Sequence, residues 1–428
     1  MVAVPPGSAS FGTPNNRHSS YLRPLPQPPR GSMSFAVDRD TSKITMTVKP
    51  NISPSDRQWI DKLRDTVKDD LTPYYDTDFN LLRWLKGHDY NLDVIVPKLR
   101  NHLTFRKSHW QLDSVASQPR DHPIHQHWKA GLTGLAGKTA NVLVNIEQSG
   151  NNDYYGMLQS YSITDVLKAR VHDLESMLAA VMEHEKKTGE QTSVMYIMDL
   201  NGLKFDRHTM GLLTGPLASI SSFMSEHYHY VELIHSFVLV AAPSFISAIW
   251  TVAKPLLPEK TKNKVKIFGS DWREAVLNIA APDSLPAYWN VPGEEERFHA
   301  NVLRAVPFDP ALYYRGKIDE KATLLNVSAG KTGIYKIQAE KGQRLSWSFS
   351  TDGHFGYGVY FSKDENESDR QKMTPVYPVF TKVPGPTTVP LHDAITCPAT
   401  GTYMFWYTNE HAWLHTLKIH HIIRAESI

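Results

Sequence analysis

The stretch Gly131-Leu-Thr-Gly-Leu-Ala-Gly137-Lys138-Thr139 has the residue types of a phosphate-cradling loop. That motif needs four residues between its two glycines and a helix behind it, so that backbone N–H groups converge on phosphate. Here five residues intervene and the strand-like Asn141–Ile146 follows, so the stretch reads as a glycine-rich turn. His122, His125 and His127 are dense enough to hold zinc or copper. Their context, Asp121-His-Pro-Ile-His-Gln-His127, is a loop without further ligand-type neighbours, which favours a solvated or structural role and no metal. The chain lacks a Gly-x-Ser-x-Gly elbow, and Cys397 lies in a turn-like Thr-Cys-Pro. Nowhere do a nucleophile, a base and an orienting group assemble, so the sequence reads as a non-enzyme with no cofactor.

The informative chemistry lies in 228–268. Phe237–Ala242 reads as a buried strand that passes through Pro243 into a helix apolar on most of its circumference: Phe245, Ile246, Ile249, Trp250, Val252, Leu256 and Leu257. Such a helix is either buried all round or faces lipid. Lys254, Lys260, Lys262, Lys264 and Lys266 cluster behind it and suit an anionic membrane surface, at about 1 kcal/mol per lysine. The plainer alternative is a core helix followed by a solvated basic loop. Ser236–Ala253 carries no charge over 18 residues, but Pro243-Ser244 divides it, so it is not read as a membrane span.

The elements around this segment fall into three blocks of the 428-residue chain. Residues 1–54 hold nine of its 28 prolines and few large aliphatic residues, which predicts a disordered tail with no signal-peptide character. Residues 55–115 carry helical spacing: Ser55 is placed as a cap ahead of Ile60, Leu63 and Val67. Asp78 opens a second helix, and a third runs from Leu92 to Trp110. Residues 120–295 alternate strand and helix, with near-continuous apolar strands at Asn141–Ile146, Ser193–Met198 and Val265–Phe268. A long helix spans Ile163–Lys187 and helical sequence spans about 206–226. This is the pattern of a largely parallel sheet covered by helices. Residues 305–428 switch to period two, as in Leu345, Trp347 and Phe349, and predict an all-β sandwich.

Composition limits the partners. The net charge of +2 argues against nucleic-acid binding, and a single cysteine excludes a disulfide framework. It also fits a reducing compartment, so the Asn-x-Ser sequons at Asn51, Asn326 and Asn366 read as chance. In the tail, Arg23, Pro26 and Pro29 match the Arg-x-x-Pro-x-x-Pro spacing that places two prolines on one edge of a polyproline II helix, as SH3 domains require.

Four motifs, in order, resemble the CRAL-TRIO lipid-transfer family: Asp78-Phe-Asn-Leu-Leu-Arg83-Trp-Leu-Lys86, Ile197-Met-Asp199-Leu-Asn-Gly202, Tyr230-Val-Glu232 and Ala242-Pro243…Lys254-Pro255-Leu-Leu. They cover about 55–295. Gly401-Thr-Tyr403-Met-Phe-Trp406 resembles the GOLD domain, and the combination is similar to that of the tocopherol-associated proteins. The resemblance implies a helical N-lobe and an α/β lobe that enclose one lipid behind the helix after Pro243, its gate. A carrier must enclose an acyl chain because exposing it costs about 0.8 kcal/mol per CH₂.

In phosphoinositide-binding members a Glu before the gate and a Thr and Lys after it hold the headgroup; those positions match Glu232, Thr261 and Lys264. The alternative for these three is a surface ion pair. Leu233 stands where an Arg often follows the Glu. Val194 and Tyr196 replace the hydroxyl-bearing strand residues of phosphatidylcholine exchangers, which leaves room for a more hydrophobic ligand. The resemblance therefore implies a cytoplasmic carrier of phosphatidylinositol or an isoprenoid such as tocopherol or squalene, in transient contact with Golgi or other internal membranes. The alternative is a lipid-sensing scaffold that recruits partners through the GOLD-like domain and the proline-rich tail.

Overall fold

In the computed structural model the residues described are 48–129, 131–204, 220, 223–224, 228, 232–256 and 259–427. The Arg23–Pro29 motif, most of the 206–226 helical stretch and Leu257 lie outside them, and the side chains of Val252 and Leu256 are not described.

The N-terminal helices are α1 (Pro54–Val67), α2 (Asp78–Gly87) and α3 (Leu92–Arg106). Ser53, not Ser55, caps α1: its hydroxyl accepts from the Asp56 amide, and Pro54 occupies the first helical position, where no N–H is needed. Helical order therefore begins inside what the proline content marks as tail. The chain ahead of it is also fixed, with the Asn51 amide bonded to the Gly189 carbonyl at 2.7 Å. The third helix stops at Arg106, short of Trp110.

The α/β lobe is a five-stranded sheet in the order β1 (Leu132–Leu135), β2 (Val142–Glu147), β3 (Ser193–Asp199), β4 (Ile234–Val240), β5 (Val265–Ile267). β2 to β5 run parallel. The antiparallel β1 corrects the reading of 131–139 as a turn: its first half hydrogen-bonds along β2 as an edge strand. Helix α4 (Ile163–Thr188) connects β2 to β3. A Ser162/Asp165 capping box starts it and Gly189, in the left-handed region at φ 72°, ends it. Helix α5 (Phe245–Ala253) connects β4 towards β5, and α6 (Trp272–Leu277) follows β5.

Strand alternation separates two cores. Met195, Ile197, Val238 and Val240 face Trp272, Val276, Trp289 and Phe298. Val194 and Tyr196 face the core shared with α4 and the N-terminal helices.

The C-terminal sandwich contains nine strands: β6 (Thr323–Val327), β7 (Thr332–Ala339), β8 (Arg344–Thr351), β9 (Phe355–Ser362), β10 (Thr374–Pro375), β11 (Phe380–Val383), β12 (Leu391–Thr396), β13 (Gly401–Thr408) and β14 (Leu417–Glu426). One sheet runs β10-β9-β13-β7, with β11 also on β9; the other runs β12-β8-β14-β6. Leu345, Trp347 and Phe349 are buried and alternate with half-buried serines, as their period predicts. On β13 both faces are buried, because Met404 and Trp406 pack with Tyr360 and Met373 on the side away from the sandwich core.

The sandwich begins later than residue 305. Residues 303–314 strap the α/β lobe instead: the Gln148 amide reaches the Leu303 carbonyl at 2.8 Å, and the Tyr314 amide reaches that of Gln159 at 2.7 Å. Sandwich and α/β lobe share a continuous core within one compact unit. Trp110 meets Tyr377 and Phe380, Phe223 stacks on Phe380 at 4.9 Å, and Lys168 on α4 pairs with Asp393 at 2.5 Å.

Candidate lipid site

Because β2 to β5 are parallel and adjacent, α4 and α5 cross back over the same sheet face by the right-handed rule. α5 therefore runs from the C-terminal edge of the sheet, where Pro243 follows β4, to the N-terminal edge, where β5 begins. Among the described residues it is the most apolar of the principal helices, yet Phe245, Ile246, Ile249 and Trp250 are only half-buried, and Ser247, Ala248 and Thr251 are exposed. An open groove of about 810 Å³ lies along it. Its lining mixes Pro243, Ser247, Trp250 and Thr251 with Val265 and Ile267 of β5.

At the N-terminal edge, Lys264 and Glu232 come together: Nζ lies 3.7 Å from Glu232 Oε1 and donates to the Ile234 carbonyl at 2.8 Å. Burial pushes the Lys264 ammonium below its ordinary pKa, and Glu232 opposes that shift. Thr261 is half-buried on the turn that leads to Lys264, with its carbonyl accepting from the Lys264 amide at 3.1 Å. The remaining lysines differ in their engagement. Lys254 is exposed. Lys260 reaches Asp89 at 2.6 Å and the Lys86 carbonyl at 2.9 Å, tying this turn to the N-terminal helices. Lys262 pairs with Glu259 at 3.2 Å.

Val194 and Tyr196 are both buried on the sheet face beneath α4. Tyr196 belongs to a polar cluster that periodicity does not reveal. Its phenol donates to Glu147 and accepts from Arg170 Nη1 at 2.8 Å, while Tyr154 donates to the other Glu147 oxygen at 2.7 Å. Burial holds both phenols well above their usual pKa, so they remain donors. One turn along α4, Asp173 pairs with Arg120 at 2.7 Å, and Arg120 also meets His125 Nδ1 at 2.7 Å. A polar pair one strand apart, Glu147 on β2 and Tyr196 on β3, was the available signal. Both stand on the same face of parallel strands.

Of the three histidines, His122 and His125 stay edge to face at 6.5 Å and His127 turns away. His125 packs against His172, while His127 stacks on Phe308 at 3.6 Å. Among the described residues, no group of three or more His, Cys, Asp or Glu is placed to hold a metal ion. Nor is any helix among them long and apolar enough to cross a membrane.

The family motifs have structural partners. Arg83 pairs with buried Glu185 and donates to the Thr192 carbonyl at 2.9 Å, locking α2 to the end of α4. Asp199 accepts from Trp289 Nε1 at 2.9 Å and from the Asn201 amide at 3.0 Å.

Residues 127–290 match the family model of the CRAL/TRIO domain. Residues 317–427 match that of the F28H7_8_C-like C-terminal domain, and residues 52–115 match DUF8435, a domain of unknown function. The chain is 29% identical over 371 residues to the CRAL-TRIO domain-containing protein F28H7.8 of Caenorhabditis elegans, spanning 83% of this chain and 87% of that protein. It is 22% identical over 405 residues to Protein ctg-1 of the same nematode, spanning 90% of this chain and all of that one, 100%. The crystal structure of Sfh5 is similar at TM-score 0.46 and 16% identity, over 60% of this chain and 94% of that one. With its parallel sheet and crossing helices, the segment 127–290 of this chain is similar to the CRAL/TRIO domain whose family model it matches.

Proposed function

We propose that this protein encloses one hydrophobic lipid between the β-sheet and α5 and transfers it between membranes in the cytoplasm, without chemical conversion. CRAL/TRIO proteins are lipid binders in general, and the observation that carries the reading here is α5 itself. A helix this apolar would ordinarily bury its side chains, but its four described large apolar side chains are half-buried. That supports a gate that swings between cargo and bilayer, with exposed Lys254 at its end meeting lipid headgroups. The Glu232–Lys264 pair supports phosphatidylinositol as cargo: a lysine suits a phosphate monoanion, and a carboxylate accepts from inositol hydroxyls. An isoprenoid such as tocopherol or squalene is the second cargo: Val194 is apolar, and the Tyr196 hydroxyl is committed to Glu147 and Arg170 instead of a headgroup.

Native mass spectrometry of the purified protein, with extraction of whatever co-purifies, tests the reading. One stoichiometric lipid is expected. A chain that stays empty after incubation with mixed-lipid vesicles would refute it. For the tail, binding of an SH3-domain partner through Arg23, Pro26 and Pro29 is tested by titrating a peptide of residues 18–34.

A further inference from the structure

The loop 409–416, between β13 and β14, holds Trp413 and Leu414 almost wholly in solvent, at 94% and 95% exposure. Adjacent large apolar side chains on a loop usually fold back onto the body, since removing apolar surface from water is favourable. Here the loop root prevents this. Asn409 is 3% exposed, and its carboxamide donates both to the Val327 carbonyl at 3.0 Å and to the His415 carbonyl at 2.8 Å, closing the loop across its base. The backbone of Asn409 exchanges bonds with the neighbouring β6–β7 turn, accepting from Gly330 at 3.0 Å and donating to Lys331 at 2.9 Å. On the other side His415 Nε2 meets Asp352 at 3.0 Å. The pair is thus presented on a fixed tip, so little ordering cost remains for whatever covers it.

We propose that the Trp413–Leu414 tip inserts into the interfacial layer of a phospholipid bilayer, making the sandwich a membrane anchor distinct from α5. Size decides against a protein partner. Two side chains offer a few hundred Å², well short of the about 800 Å² per partner that a stable protein interface needs. The flanking Glu410, His411, His415 and Thr416 are exposed and polar, so the apolar surface ends at the tip. A bilayer needs no matching shape, and an indole with a polar collar suits its interface. Charge at the base is balanced, with Lys331 and Lys418 offsetting Asp352 and Glu410, so insertion does not require anionic lipid. The inference is independent of which lipid is carried.

The test compares wild type with the Trp413→Ser/Leu414→Ser double variant, by sedimentation with vesicles of phosphatidylcholine alone. The variant should melt like wild type, because neither side chain is packed, and its partition coefficient should fall at least about tenfold. Equal partitioning, including failure of both to bind, would overturn the proposal and leave docking to α5 or to a protein. An independent measurement uses Leu414→Cys. The only native cysteine, Cys397, is 1% exposed, so an environment-sensitive fluorophore labels the tip. Its emission should shift to the blue on the same vesicles; unchanged emission would equally overturn the proposal.

Discussion

The guanidinium of Arg106 clasps the Glu175 carboxylate through two bonds of 3.0 Å, and neither side chain has any exposed surface. This pair joins the end of α3 to the middle of α4, with Arg106 also bonded to Asp113 and lying over the Tyr75 ring. Removing Glu175 leaves the buried guanidinium with Asp113, a partly exposed carboxylate, as its remaining ion-pair partner. Glu175→Ala should therefore lower unfolding free energy by about 1–3 kcal/mol in chemical denaturation, less than for a charge left wholly unpaired. The double variant Arg106→Met/Glu175→Leu should recover much of that loss. If the single variant costs no more than a surface substitution, the pair does not hold the lobes together.

Lys264→Ala should weaken phosphatidylinositol transfer much more than transfer of a neutral lipid. A charge-assisted hydrogen bond contributes about 1.5–3 kcal/mol, which is roughly 10- to 100-fold in affinity. Parallel transfer assays with both lipids check this, and equal losses would assign Lys264 to holding the β4–β5 edge through its bond to the Ile234 carbonyl.

Tyr196→Phe removes one hydroxyl that serves both Glu147 and Arg170. The buried carboxylate loses a donor and the guanidinium an acceptor, so stability should fall by about 1–3 kcal/mol in a denaturant melt. A neutral result would mean that Tyr154 and Arg170 satisfy Glu147 without it.

The histidines predict an acid limb. Burial, with Arg120 next in importance, holds His125 down at about 3, and burial lowers His122 and His172 in the same sense. Below the ordinary value of 6.5 the unfolded chain takes up protons that these folded side chains refuse, so stability falls as pH drops through that range. Asp173 acts oppositely. Burial, against the pull of Arg120 and Arg170, raises it to about 6, so its folded carboxyl gains a proton before the unfolded one. In melting temperatures between pH 7 and 4.5, His125→Gln should flatten the decline and Asp173→Asn should steepen it. Profiles identical to wild type would place the titration elsewhere.

Ile249→Ser tests the gate. Because Ile249 is half-buried, its replacement should cost much less than the about 2–5 kcal/mol of a core truncation, while changing the rate of lipid exchange with vesicles. A large drop in melting temperature with unchanged exchange would make α5 a fixed wall.

Periodicity alone determined most of the elements. The apolar stripe from Val166 to Val181 requires a helix, and the alternation from Leu345 to Phe349 requires a strand with one buried face. The run of apolar residues in β3 requires a strand covered on both sides. Such patterns are local, because side-chain direction repeats every 3.6 or two residues whatever the rest of the chain does. Motif resemblance singled out Glu232 and Lys264, and what the structure adds is that the two side chains pair at 3.7 Å.

Which faces meet was decided in three dimensions. Arg106, Glu175, Glu147 and Arg170 look like surface residues in the sequence, since a charged side chain carries no local mark of the partner that makes its burial tolerable. Met404 and Trp406 could not be assigned to a covered face until Tyr360 and Met373 were placed over them. Trp413 and Leu414 carry the opposite lesson. Apolar composition suggests burial, and the bonds of Asn409 to Val327 and His415, which need β6 and β14 side by side, go with a loop that holds the two side chains out in solvent.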